Sequence, residues 1–508
     1  MLTQKLVLSY FSKIFMQVIQ VAVTIVVARA AGASVLGTVA FGMAYVSMFI
    51  FISDFGLGVA HIKLVSEGKD EATCNGTFMR IQAVLVGIFF IFVLGIFLFQ
   101  KYIFAYRFES PVHEKVIIVT LIAVTLDRAL YIFKTNFMSK TEQAKQDIPD
   151  FIELLVFQSL RLIVVLFGYK ALAIAFSKLI AVIVITPVYF ILFKNYVVGK
   201  FDKNLAKQYS LISFPVMIIV IVNSFTQYAD KVLLQYLSNS AEVGYYVAGF
   251  KIGSLILMIG TSVGLLFFPT FSSAISENNF DRINSIIKKY EKFSLSFVFP
   301  VTIILSIYSD VIVNAILGLE YVKTIPVLSI INISAFIYTF IIPYGNALTG
   351  SGLFKVVAKV YFVKLLFFLS LTWFMVSPGT MNLGSIGLAV SLAASNIFLG
   401  GLFIFSLRTK LKKIKVLPGL KLLVFGTIFS IIAFWIYRVI QLTFVMKILF
   451  VVLYFAGYWG GAAAFKLIHR QEWSLLWELI DVKKMAAYIK SEMINQHKTS
   501  GMKERDAK

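Results

Sequence analysis

Apolar runs of about twenty residues recur from one end of this 508-residue chain to the other, and no other feature constrains the fold as much. A helix of that length matches the roughly 30 Å hydrocarbon core of a bilayer. Scanning for apolar runs bounded by charged or Gly/Pro breaks gives about fourteen spans, at 6–31, 36–62, 78–100, 115–138, 148–169, 171–193, 209–237, 243–270, 293–314, 325–349, 356–377, 383–407, 420–438 and 444–467. Composition agrees, with 59% hydrophobic residues, 50 Phe and a mean hydropathy of +0.88, well beyond a soluble domain. The expected fold class is an all-α polytopic membrane protein.

Several chemistries fall away early. A single cysteine, Cys74, excludes an intrachain disulfide framework and a cysteine-based metal cluster. Four scattered histidines argue against structural zinc. The net charge of +22 would suit nucleic acid, but in a membrane protein it reflects cytoplasmic loops rich in Lys and Arg, and no nucleic-acid partner is expected. "ARAAGA" (Ala28 to Ala33) resembles a signal cleavage site only loosely. The segment before it is too long and carries Lys13, Gln17 and Gln20, so it reads as a retained first span.

The loops alternate in charge. Lys140 and Lys145, then Lys194, Lys200, Lys203 and Lys207, then Arg282, Lys288, Lys289 and Lys292, then Arg408 to Lys415 mark one side. The intervening connections, such as "AAGASVLG", "GYKA" and "SPGTMNLG", are short and nearly uncharged, with 101–115 the exception. The positive-inside bias places the basic loops and both termini in the cytoplasm, in a plasma membrane protein. The sequon at Asn75 is then cytoplasmic. The segment from Gln471 reads as an interfacial amphipathic helix bearing Trp473 and Trp477, or as a soluble capping helix, followed by a polar tail.

Sliding the chain against itself by 207 residues pairs Gln20 with Gln227, Ala22 with Ala229, Gly37 with Gly244, Gly42 with Gly249 and Ser47 with Ser254. Six spans separate the copies, which makes the repeat parallel, with an axis along the membrane normal. The expected architecture is two pseudo-symmetric six-helix lobes, 1–200 and 201–410, then two extra spans in 411–470 and a cytoplasmic amphipathic helix and basic tail over 471–508. The first and seventh spans also carry matching polar stripes. Lys13, Gln17, Gln20 and Thr24 share one helix face, as do Asn223, Gln227, Asp230 and Lys231. Lipid-facing helices do not tolerate such stripes, so both should face the protein interior. For the amides, interhelical hydrogen bonding and substrate contact both stay open.

The spans contain the cations Arg29, Arg128, Arg161, Lys178, Lys251 and Lys364 and the acids Asp54, Asp127, Glu153, Asp230 and Asp310. Each costs about 2.5–3.5 kcal/mol on insertion scales, so an inward or functional place is the default. Arg29 and Asp310 lie near outer ends, where snorkelling also accounts for them. Glu153 and Arg161, two turns apart, suit a structural ion-pair network. Asp127–Arg128 and Asp230–Lys231 are sequence neighbours pointing in different directions on a helix, hence not simply self-neutralising pairs. Outward snorkelling is open to Lys251 as well, since side chains tilt toward the helix start, but it lies between Gly249 and Gly253, a close-packing surface that argues for a protein-facing place. Cations converging on a cavity call for an anion, and phosphate suits arginine donation. The substrate-binding candidates are therefore Arg29, Arg128, Arg161, Lys178, Lys251, Lys364, Gln20 and Gln227. Asp54, Asp127 and Asp230 are candidates for a coupling proton or Na⁺. No other cofactor is expected.

The stretch "VVARAAGASVLGTVAFGMAYVSMFIFISDFGLGVAHIKLVSEG" resembles the opening of polysaccharide (Wzx-type) flippases, of the same superfamily as MurJ-type lipid II flippases and MATE exporters. "SNSAEVGYYVAGFKIGSLILMIGTSVGLLFFPTFS" is similar to that family's second-lobe opening. The resemblance implies export of a lipid-linked oligosaccharide on a polyprenyl or dolichyl (pyro)phosphate, through a cationic cavity with inward- and outward-open states. By position, Arg29 and Lys251 match basic sites of that family, and glycosyltransferases or a polymerase of the same pathway are implied partners, beside membrane lipids. A MATE-like exporter of small cations is the first alternative, and a net-basic interior would repel its substrates. A membrane glycosyltransferase or polymerase is the second. The chain has no DxD, no loop roomy enough for a catalytic domain and no P-loop, so it is not expected to be an enzyme.

Overall fold

The computed structural model describes residues 2–467 apart from 278, 441 and 442; for 2–14, 444 and parts of 262–276 the backbone alone is described. The expected tail helix over 471–508 lies outside the described residues. Helices follow one another in the order α1 (Leu2–Ala31), α2 (Ala33–Ser47), α3 (Leu57–Ser66), α4 (Glu71–Tyr102), α5 (Pro111–Ser139), α6 (Gln143–Leu166) and α7 (Ala171–Phe193). They continue with α8 (Lys203–Leu237), α9 (Ser240–Ser276), α10 (Phe280–Phe293), α11 (Phe299–Ile307), α12 (Ser309–Ile316) and α13 (Thr324–Gly350). The last four are α14 (Phe354–Val376), α15 (Gly384–Lys410), α16 (Leu420–Val439) and α17 (Phe444–Ala464). No strand occurs among the described residues.

Among the described residues ten helices are long and apolar enough to cross a membrane, and the bent pair α2 and α3 makes eleven. At the remaining expected positions stand α1, whose Phe15–Ala31 portion is apolar, and the full-length helices α6 and α14. On length and composition the count is thus ten or eleven rather than the expected fourteen, although a helix stands at every expected place. Outward faces are apolar: Ile91 is 71% exposed and Phe190 60%, as lipid-facing residues are.

Side-chain caps set several boundaries. Asp70 accepts from the Thr73 amide at 2.8 Å at the start of α4, and Asp202 from that of Leu205 at 2.7 Å at the start of α8. Asn239 and Asn279 do the same for α9 and α10, each at 3.0 Å. Such caps satisfy amides that the first helical turn leaves unpaired. The break between α2 and α3, expected as one span, bends the chain by 41°. It passes through a 3₁₀ turn at Ile50–Ser53, then through Phe55 and Gly56 at positive φ, and the Asp54 carboxylate caps the new helix through the amides of Gly56 (3.3 Å) and Gly58 (2.9 Å).

α2 and α9 meet at their first turns. A Cβ on Gly37 would lie 1.7 Å from the Ser240 carbonyl oxygen, and one on Gly244 would lie 1.9 Å from that of Ala33. The two contacts are reciprocal at the 207-residue spacing, since Ala33 and Ser240 are themselves 207 apart. Backbones this close tolerate only glycine. α8 bridges the two halves of the chain. Its first turns pack on α3 and α4, where the Tyr209 hydroxyl lies 2.7 Å from His61 Nδ1, and its later part packs on α14. Asn75 is buried, donating to the Val197 carbonyl at 3.0 Å.

Candidate functional site

Three groups of charges stand out in and beside the spans; Asp54, Asp310 and the buried Glu291 lie apart from them. In the first half of the chain, α5, α6 and α7 carry a balanced network. Asp127 pairs with Arg128 at 2.7 Å and with Lys134 at 3.3 Å; Lys134 reaches Asp150 at 2.8 Å and Glu153 at 3.9 Å. Lys178 pairs with Glu153, and Tyr189 donates to Asp150 at 2.9 Å. Three cations face three carboxylates, so no net charge is left over.

The second group lies where α1, α6, α8, α9 and α14 come together. Lys251 on α9 donates to Gln20 Oε1 on α1 at 3.2 Å, and Gln17 donates to the Ser254 hydroxyl at 3.0 Å. The charges of Arg161 on α6 and Lys231 on α8 both act on Lys251, and that of Asp230 acts on Lys364. Arg161 is buried, donates to Gln158 Oε1 at 3.1 Å and leaves its Nε without a partner. Lys364 is buried with its ammonium 5.7 Å from the Phe368 ring. Lys231 is held by Asp230 at 2.8 Å, and Asp230 also accepts from Tyr246 at 3.0 Å. Arg161, Lys251 and Lys364 are the cations of this group that form no ion pair with a described carboxylate.

The third group ties the two halves together at the opposite end from the basic loops. Glu109 Oε2 accepts from Gln235 Nε2 (2.8 Å), the Ser240 amide (2.8 Å) and the Ser240 hydroxyl (2.6 Å), while His113 Nε2 lies 2.8 Å from the same hydroxyl. In the mirrored sense, Glu320 accepts from the Ala33 amide at 3.2 Å and Tyr321 donates to the Ala28 carbonyl at 2.9 Å. A carboxylate from each half thus seats on the N-terminus of a helix from the other, where it complements the positive end of the helix dipole. Arg29 lies here too, exposed and donating to the Ala315 carbonyl at 3.3 Å.

Several sequence expectations need correction. Asp127–Arg128 and Asp230–Lys231 do form direct ion pairs. Helix geometry turns adjacent residues 100° apart at the Cα, but long basic side chains bend back over that distance where no water competes. Glu153 and Arg161 form no ion pair: Glu153 is taken by Lys178 and Lys134, and Arg161 meets the Gln158 amide oxygen and the Phe157 ring, 5.4 Å away. The candidate cations do not converge on one place either. Arg161 and Lys251 gather with Gln20, and Lys364 is linked to them only through Asp230 and Lys231, whereas Arg128 and Lys178 belong to the balanced network and Arg29 to the helix-end contact between the halves. Gln227 is exposed and contributes its backbone carbonyl to Lys231 at 3.2 Å.

The acids Asp54, Asp127 and Asp230 are each already engaged, by backbone amides, by Arg128 and Lys134, and by Lys231 and Tyr246. Among the described residues no group of three or more His, Cys, Asp or Glu could hold a metal ion. Sequence reading passed over Lys134, Asp150 and the helix-capping carboxylates Glu109 and Glu320. Lys134 had a signal: it lies seven residues after Asp127, two turns along the same face.

Comparison with known structures places the fold. MurJ, described as a lipid II flippase in an inward closed conformation, superposes with a TM-score of 0.70 at 14% identity, over 91% of this chain and 99% of that one. An inward-facing multidrug resistance MATE family transporter of the MOP superfamily gives 0.60 at 12% identity, over 78% and 96%. A MOP superfamily transporter from Pyrococcus furiosus, noted for the reversed polarity of its binding pocket, gives 0.55 at 12% identity, over 80% and 95%. No curated protein matches by sequence. The model of the polysaccharide biosynthesis protein family matches residues 26–326, more than half of the chain, and the protein therefore belongs to that family, as a multi-pass helical membrane protein with the fold that MurJ and MATE transporters share.

Proposed function

We propose that the protein is a flippase that carries a lipid-linked oligosaccharide, on a polyprenyl or dolichyl pyrophosphate, from the cytoplasmic to the outer leaflet of the plasma membrane. One observation supports the reading: Arg161, Lys231, Lys251 and Lys364 are linked through neighbouring side chains inside the helical body, with a single carboxylate, Asp230, among them. At about 2.5–3.5 kcal/mol each, three uncompensated charges cost roughly 8–10 kcal/mol, a burden that natural sequences do not carry without return. A pyrophosphate supplies the missing negative charge and accepts the bidentate donation that arginine offers. Gln20 and Gln158, both hydrogen-bonded to these cations, are placed to exchange those bonds for headgroup oxygens.

The outer carboxylate clamps support an alternating-access cycle. They hold α2 against α9 at the outer end, and they must release for the bound headgroup to leave on that side. In this reading the basic loops and both termini are cytoplasmic, the lobes divide near residue 200, and glycosyltransferases upstream supply the substrate. The rival reading, a MATE-like exporter of cations, is disfavoured because the same three cations would repel its cargo. Coupling through Asp54, Asp127 or Asp230, by a proton or Na⁺, would require displacing the partners each already holds.

The test is flipping in reconstituted vesicles, with a fluorescent lipid-linked sugar and an impermeant quencher. Replacing Arg161, Lys251 and Lys364 together by Ala should lower the rate more than a hundredfold, the scale of losing several charge-assisted hydrogen bonds. An unaltered rate would remove the site.

A further inference from the structure

A second place on the molecule has the shape and charge of a binding site. A cavity of about 390 Å³ lies between the start of α14 and the end of α15, at the end where the basic connections gather. Val356, Val360 and Val363 form one stripe along α14, and Leu402 and Phe405 face it from α15. Phe405 is 65% exposed, so the groove opens sideways to lipid and not to the interior. At its mouth stand Lys359 and Lys410, both exposed and neither in an ion pair with a described residue. α14 thereby presents two lysines in opposite senses: Lys364 is turned inward and buried, and Lys359, five residues earlier and about 140° away round the helix, is turned outward.

We propose that this groove holds an anionic glycerophospholipid of the cytoplasmic leaflet, with one acyl chain between α14 and α15 and the phosphate between Lys359 and Lys410. The apolar walls suit a hydrocarbon chain. The paired ammonium groups at headgroup level select a lipid with net negative charge, because the cationic amine of a zwitterionic lipid would be repelled by the second lysine. The site is separate from the Arg161–Lys251–Lys364 group and does not depend on what that group transports.

The purified full-length protein is equilibrated in vesicles of equal parts phosphatidylglycerol and phosphatidylcholine and extracted, and its retained lipids are counted by native mass spectrometry. Phosphatidylglycerol should be enriched. The double variant K359Q/K410Q should lose about fivefold in affinity per lysine. The control K355Q/R408Q, which removes neighbouring cations that do not line the groove, should retain it. Equal retention by all three proteins, or equal loss in both variants, would overturn the proposal. Preferential displacement of phosphatidylglycerol by added polyprenyl phosphate would also overturn it, and would give the groove to an isoprenoid lipid.

Discussion

Replacing Gly37 by Ala probes the outer contact where the structure is tightest. The new Cβ would stand 1.7 Å from the Ser240 carbonyl oxygen, while ordinary contact begins near 3.4 Å, so α2 and α9 must part by about 1.7 Å. The obstacle is backbone on both sides and cannot be relieved by a rotamer change. Overpacking of this kind costs about 1–3 kcal/mol. The displacement also loosens the 2.6–2.8 Å hydrogen bonds from Ser240 to Glu109, each worth about 1.5–3 kcal/mol as a bond to a charged group. With about 1.4 kcal/mol per factor of ten, the ratio of outer-closed to outer-open molecules should fall ten- to a hundredfold or more.

Gly244→Ala should act in the same way from the other helix, with its Cβ 1.9 Å from the Ala33 oxygen. The double variant should show less than the sum of the two effects, since both widen one gap. Spin labels on Ser34→Cys and Asn239→Cys, both exposed positions, report the separation directly. The single native cysteine, Cys74, is buried and need not be removed. The expected result is a new population at longer distance. A distance distribution and melting temperature equal to those of the unsubstituted protein would refute the tight reciprocal crossing.

Lys251→Met should raise the melting temperature slightly while weakening flipping at least tenfold, because it relieves repulsion from Arg161 and Lys231 and removes a headgroup contact; differential scanning fluorimetry and the vesicle assay read the two effects. Lys134→Met should do the opposite to stability, lowering it by about 3–5 kcal/mol, as Asp127, Asp150 and Glu153 lose a shared partner inside the membrane. The outer clamp should also depend on pH. Burial alone would raise the pKa of Glu109, but hydrogen bonds from Ser240 and Gln235 and the nearby His113 outweigh it and hold the carboxyl below its usual range. A depressed carboxylate contributes stability that is present above its unfolded value and is lost as pH falls through the folded one. The short spin-label distance should therefore persist from neutral pH to about pH 5 and lengthen only in stronger acid, and Glu109→Gln should abolish that acid transition.

The helices were legible because burial in lipid leaves a direct mark on sequence. The apolar run at 171–193 coincides with α7, and the one at 420–438 with α16 to within a residue. Breaks inside spans were not legible. The bend between α2 and α3 depends on Phe55 and Gly56 adopting positive φ, and "DFGLG" does not by itself announce a turn within a membrane helix. The π-helical turn at Ser294–Val298, which joins α10 to α11, has no sequence sign either, and α10 therefore extends thirteen residues ahead of the expected start at 293.

Charges were legible as a problem but not as a solution. The sequence shows that Arg128, Arg161, Lys178 and Lys251 need partners. Which carboxylate serves which cation depends on the packing of helices distant in sequence, as where Lys178 on α7 takes Glu153 on α6. Glu109 and Glu320 escaped notice because loop carboxylates are unremarkable until the helix ends they cap are brought to them.

The most direct measurement is equilibrium binding of a short-chain polyprenyl pyrophosphate to the purified protein, set against the matching uncharged polyprenol, before and after Arg161, Lys251 and Lys364 are all replaced by Ala. The expected result is a pyrophosphate preference of a hundredfold or more that disappears in the triple variant while polyprenol binding stays the same. Equal affinity for both lipids in the unsubstituted protein, or a preference that survives the three substitutions, would contradict a role for these unmatched cations in holding a phosphorylated headgroup.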